Sequence, residues 1–113
     1  MDFSDLVQFS ELNAHSYQLG PFNDNELDFF LTEMKWWVEC KEHIHNDSIS
    51  HLFFIDGEGI LKLDGKEHQY QKGSYYKLEK KVFHWFKTKT DTRILSMQYP
   101  SLVKEDGSFD IEF

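Results

Sequence analysis

His43 and His45 are the first residues in this chain whose types and spacing could do chemistry together. In an extended strand successive side chains alternate, so the two imidazoles share a face. Their Cα atoms then stand roughly 6.5–7 Å apart, a span two rings can close around one ion. On a helix the same pair points about 200° apart, so the spacing makes a chelate only in extended chain. A lone His-x-His pair is weak evidence. Here a third histidine, His84, follows Gly73 further along, and the surrounding chain reads as strand.

The elements that must position these residues are short strands. Leu27 to Met34 and Lys35 to Cys40 are rich in aromatic and β-branched residues and are expected as strand, continuing through His43 and His45. Asn46-Asp47-Ser48 is a loop. Leu52 to Ile55 and Ile60 to Leu63 are strands, and Asp64-Gly65 then gives the strongest hairpin signal in the chain. His68 to Tyr70, Tyr75-Tyr76, Val82 to Phe86 and Thr92 to Tyr99 follow, the last stopped by Pro100. Strands at this spacing, with turns between, predict an all-β sandwich or barrel. Residues 1–14 read equally as a short helix or an extended edge segment, and Gly20 to Asn25 as a turn cluster. The tail after Pro100 is polar, and either stays loose or packs Phe109, Ile111 and Phe113.

Composition narrows the function. At 113 residues the chain is expected to form one domain, with a barrel core of about 27–100, an N-terminal segment 1–26 and a tail 101–113. A net charge of −8, with no long basic run, argues against a nucleic-acid partner. One cysteine, Cys40, excludes an internal disulfide and any multi-cysteine zinc site. No apolar run approaches the ~20 residues of a membrane span, and Met1 to Asp5 do not resemble a signal peptide. A cytoplasmic location is the expectation. The aromatic share of 17% exceeds what a small barrel comfortably buries. Adjacent pairs such as Trp36-Trp37 and Phe53-Phe54 put one ring on each face of a strand, so an apolar outer face and a homodimer are expected.

The order of these features resembles the cupin family, over about residues 27–100. His43 and His45 match the paired histidines of that family's first motif, and Gly57 its glycine. Gly73 and His84 match the ends of the second motif. The resemblance implies a single-domain, cupin-type jelly-roll β-barrel. Four positions depart from the pattern. Trp37 stands where the family has a glycine, and Glu79 and Lys81 replace the Pro and Gly of the second motif. Ser50 stands at the glutamate position, counted from either side, and a serine hydroxyl is a poor ligand for a divalent ion. The resemblance therefore implies His43, His45 and His84 as metal ligands. His51, next to Ser50, is a candidate fourth if a one-residue bulge turns it inward.

Three imidazoles leave positions on the ion for water or substrate and leave its charge undiminished. Such a centre favours a small chelating organic anion. With iron it suits dioxygenase chemistry, and with zinc or nickel lyase or isomerase chemistry; manganese is a further candidate. The alternative is a non-catalytic barrel that binds a small ligand as a sensor or binding module, its histidines a relict. Pocket candidates are Ser50, Phe54 and Phe86, with Phe86 sharing His84's face. Acid–base candidates are Tyr75 and Glu79, with Arg93, the one arginine, as a carboxylate clamp. Each is a weak candidate, since an exposed residue has the same pattern. Cys40 is an odd number of residues before His43, so a regular strand would turn it to the other face, as a small buried apolar residue.

Overall fold

The computed structural model describes residues 14–24, 26–36, 38–40, 42–104 and 106–112. The expectation for residues 1–13 falls outside these, as do those for Trp37 and Phe113. Eight strands are described: β1 (Ala14–Phe22), β2 (Leu27–Met34), β3 (Ile49–Asp56), β4 (Gly59–Leu63), β5 (Lys66–Tyr70), β6 (Tyr75–Leu78), β7 (His84–Thr88) and β8 (Thr92–Tyr99). They form a five-stranded sheet in the order β1-β2-β8-β3-β6 and a three-stranded sheet in the order β5-β4-β7, antiparallel throughout. The fold is an all-β jelly-roll barrel. Among the described residues no helix is long and apolar enough to cross a membrane. The strand-built part takes in β1, before the Leu27 boundary expected from the sequence.

Local chemistry explains the turns. Asp64 and Gly65 both have positive φ, 50° and 85°, the geometry that matches a tight two-residue turn to strand twist. They join β4 to β5 with Leu63 opposite Lys66. Gly57 has φ 99°, and a Cβ there would lie 2.4 Å from Thr92 Oγ1, so no side chain fits where β3 turns toward β4.

Alternation sorts each strand into an inner and an outer face. Inward residues of the large sheet change character along the barrel. At one end Met34, Phe54 and Ile94 pack with Val38, Leu61 and Tyr70 into a solid core, where the Phe54 and Tyr70 rings stack at 4.2 Å. Tyr70 donates or accepts at Thr92 Oγ1 (2.8 Å), and burial pushes its phenol up to about 12. Toward the other end the inward row is polar: Asp28 opposite Gln98, and Gln98 opposite Ser50, all three buried.

The outer face of the large sheet is apolar. Tyr17, Leu31, Leu95, Phe53 and Tyr75 stand opposite one another in register across all five strands. Leu19, Phe29 and Met97 form a second row beside them. Tyr17, Leu19, Phe53 and Tyr75 are each more than 40% exposed.

The segment between β2 and β3 departs from the continuous strand expected there. It makes isolated bridges instead: Glu39 to Lys87, His43 to His84 and Ile44 to Glu112. Cys40 N–H donates to the Phe86 carbonyl and His43 N–H to that of His84. Three steps on this segment thus oppose two on β7, which is a bulge. The bulge corrects the expectation for Cys40. The odd spacing no longer separates it from His43, and both face the barrel interior.

Candidate metal centre

His43-Ile44-His45 runs extended between β7 and the C-terminal tail. His43 exchanges backbone hydrogen bonds with His84 (3.1 and 3.0 Å), and Ile44 exchanges them with Glu112 (2.8 and 3.0 Å). Pairing on both sides holds the segment straight, so both histidines point inward and meet His84 from β7. All three are buried, and one ligand nitrogen from each lies within 4.8 Å of the other two, close enough for one ion to touch all three. The ring centroids stand 4.1 to 5.2 Å apart.

Two of the rings are oriented by backbone carbonyls. His45 Nδ1–H donates to the Asp110 carbonyl (2.7 Å), and His84 Nδ1–H to the Val82 carbonyl (3.1 Å). A carbonyl can only accept, so the proton is on Nδ1 and the Nε2 lone pair is left for an ion. Burial holds the His45 imidazole below its ordinary pKa. It holds His84 well below, with the neighbouring His43 and His45 adding repulsion. Both are neutral at physiological pH, the form that ligates.

The triad lies on one wall of a cavity of about 240 Å³ between the sheets. Leu52, Phe86 and Ile94 give it an apolar lining, and Ser50, Ser96 and Gln98 a polar one opposite the histidines. Among the described residues, none that lines the cavity is Asp, Glu, Lys, Arg or Tyr. Ser50 Oγ, Gln98 Oε1 and Asp28 Oδ1 are buried without a hydrogen-bond partner among the described residues. Burial raises the Asp28 pKa, against hydrogen bonds from Ser101 and Leu102 that lower it. Cys40 also lines the cavity, its Sγ 4.0 Å from His43 Nδ1, and burial pushes its thiol up to about 12.

Among the sequence-predicted residues, the structure brings together His43, His45, His84, Ser50 and Phe86. It does not bring in the rest. His51 follows Ser50 in an unbulged stretch of β3 and so faces outward, where its Nδ1 meets the Tyr75 hydroxyl at 2.6 Å and the two rings stack. Tyr75 is therefore also on the outer face. Glu79 is exposed and pairs with Lys77 at 3.0 Å. Arg93 is exposed and pairs with Asp56, Nε to Oδ2 at 2.6 Å, which leaves no carboxylate clamp in the cavity. Phe54 is inward but lies in the solid core against Tyr70, outside the cavity lining.

The tail carries what the sequence did not reveal. Asp28 accepts from Ser101 Oγ–H and Leu102 N–H, and so ties down the start of the tail. Leu102, Phe109 and Ile111 then close the cavity. Between the last two, the buried Asp110 carboxylate accepts the backbone N–H of Asn46 (3.0 Å), Asp47 (2.8 Å) and Ser48 (2.9 Å). The one sequence signal was the apolar alternation of Phe109 and Ile111, which leaves Asp110 between them.

A jelly-roll barrel with three inward histidines beside an internal cavity defines a class of protein. The chain belongs to the cupin family: the model of the cupin domain matches residues 32–97. No curated protein matches the sequence. Several solved structures do match the fold. The structure of KdgF from Halomonas sp. superposes with a TM-score of 0.75 at 12% identity, covering 94% of each chain. An RmlC-like cupin from Shewanella frigidimarina gives 0.74 at 20% identity, over 88% of this chain and 86% of that one. Ectoine synthase from P. lautus gives 0.69 at 18% identity, over 90% and 78%. At these identities the likeness is one of fold.

Proposed function

We propose that this cupin holds a divalent transition metal on His43, His45 and His84 and is an enzyme acting on a small organic anion in the barrel. The observation that carries this reading is the triad itself: three buried imidazoles with their ligand nitrogens within 4.8 Å, two of them with Nδ1–H donated to a carbonyl. A bound ion of Fe, Ni, Zn or Mn supplies Lewis-acid chemistry for a lyase or isomerase, or redox chemistry for a dioxygenase. The chain's own residues do the rest. Leu52, Phe86 and Ile94 exclude water from the ligand. Among the described residues no cationic side chain lines the cavity, so the anion's charge is met at the triad. Ser50 and Gln98 offer the opposite end of the ligand hydrogen-bond acceptors that no described residue uses.

One observation favours the second reading, a non-catalytic cupin that binds a small ligand. Among the described residues the lining offers no carboxylate, lysine or tyrosine to move a proton. The protein pairs as a homodimer through the apolar row Tyr17, Leu31, Leu95, Phe53 and Tyr75, since so large an exposed apolar face marks an interface. A cytoplasmic location fits a chain whose single cysteine allows no internal disulfide.

Metal analysis of untagged protein tests the main reading. Near-stoichiometric Fe, Ni, Zn or Mn is expected, and His43→Ala, His45→Ala and His84→Ala should each lose it with the strand signal in circular dichroism intact. No metal after anaerobic reconstitution leaves the ligand-binding module as the function.

A further inference from the structure

We infer that Asp110 is a positioning residue for the candidate centre, holding the His45 ring through the tail segment to which Asp110 belongs. The inference rests on the metal reading only for its effect on affinity. Its geometry stands without a metal. The Asp110 main chain and side chain do two different jobs at one place. The carbonyl accepts the His45 Nδ1–H at 2.7 Å and thereby fixes which ring nitrogen carries the proton. The carboxylate, 2% exposed, accepts three consecutive backbone N–H groups, those of Asn46, Asp47 and Ser48. Those three residues follow His45 directly. The carboxylate therefore fastens the chain on the C-terminal side of the ligand to the same residue whose carbonyl orients its ring.

The bridge between Ile44 and Glu112 fastens the other side of His45 to the tail. Asp110 and Glu112 flank Ile111, which lines the cavity. His45 is thus gripped by a tail segment far from it in sequence, and the grip depends on two carboxylate oxygens. Oδ1 serves Asn46, and Oδ2 serves Asp47 and Ser48. An asparagine at this position has one acceptor oxygen and presents N–H donors at the other, so it cannot satisfy all three. Alanine satisfies none.

Two readouts test the inference on the full-length protein, with Co(II) as the probe. In the metal-free protein, the ¹⁵N shifts of the His45 imidazole report its tautomer. Wild type is expected to show one tautomer with the proton on Nδ1, and Asp110→Asn and Asp110→Ala a mixture. Co(II) titration should show affinity weakened about 10–100-fold in Asp110→Ala, the range typical of lost support behind a ligand, with Asp110→Asn between it and wild type. If Asp110→Ala does not fold, Asp110→Asn carries the test. A lowered melting temperature with the wild-type tautomer and Co(II) affinity within twofold would make Asp110 merely structural and overturn the inference. A mixed tautomer with unchanged Co(II) affinity overturns it as well. A wild type that binds no Co(II) instead removes the metal reading, and the tautomer alone then decides the role of Asp110.

Discussion

Ser50 and Gln98 stand directly opposite each other on β3 and β8, and each buries a side-chain oxygen that has no partner among the described residues. A buried polar atom left unpaired costs roughly 1–3 kcal/mol. A protein that keeps two of them on one cavity wall is less stable there than its packing allows, which is common where a ligand is to be met. Ser50→Ala should therefore stabilise the metal-free protein, by about 1 kcal/mol, or several degrees in melting temperature. Calorimetry of the two proteins side by side checks this. A loss of stability would mean that Ser50 Oγ has a partner in solution.

Ser50→Glu should have the opposite effect on the empty barrel and tighten the loaded one. The substitution places a carboxylate on the wall facing the triad, at the position where the family has its glutamate. In the metal-free protein the new charge is buried without a cation, and melting temperature should fall. With Zn(II) or Co(II) added, affinity should rise at least about tenfold, as expected of a fourth ligand that also cancels charge. Affinity that is unchanged or lower would show that a side chain at Ser50 does not reach the ion.

Acid should weaken the metal-free fold through His45 and His84. His45 and His84 are held below their ordinary pKa by burial, so the folded state resists protonation. The unfolded chain takes up those protons first, once pH drops below about 6.5. Stability is therefore level above that pH and falls as pH is lowered toward the folded values, by up to about 1.4 kcal/mol per pH unit for each histidine. Urea midpoints between pH 7.5 and 5 measure this slope. In His84→Gln the slope should shrink, and an unchanged slope would assign the acid sensitivity elsewhere.

A single charge at the centre of the outer row should break the dimer. Leu95 lies between Leu31 and Phe53 on the middle strand of the large sheet. Light scattering of the wild type at low micromolar concentration should give about twice the 13.6 kDa of one chain. Leu95→Glu should give one chain's mass with the strand content unchanged. A wild-type mass near 13.6 kDa would remove the pairing altogether.

Much of the strand pattern was legible because its signals are local. Alternation and turn chemistry lie within a few residues, so β8 could be read from Thr92 to its stop at Pro100 and the β4–β5 hairpin from Asp64-Gly65. The inward placement of Ser50 followed from the family resemblance, which puts it at the motif's glutamate position. What escaped was set by distant partners. The bulge that brings Cys40 to His43's face exists because β7 supplies two residues against three, and nothing near Cys40 records that. His51 could not be assigned to a face without the register of β3 against β6 and β8. Asp110 is one carboxylate in a polar tail, and its three N–H donors are more than sixty positions earlier.

The tail's grip also orders events in time. His45 and Asp110 are 65 positions apart, and Asp28 and the Ser101 hydroxyl it holds are 73 apart. Closing spans of that length is entropically slow, and contacts between such distant positions lengthen folding. Chain elongation runs at about 5–20 residues per second, so His43, His45 and His84 are synthesised seconds before residue 110. Until the tail docks, Phe109 and Ile111 do not line the cavity, and the imidazoles meet whatever ion is most abundant. The ion that such a cupin carries would then depend on what it meets while being made, as well as on what its finished site prefers.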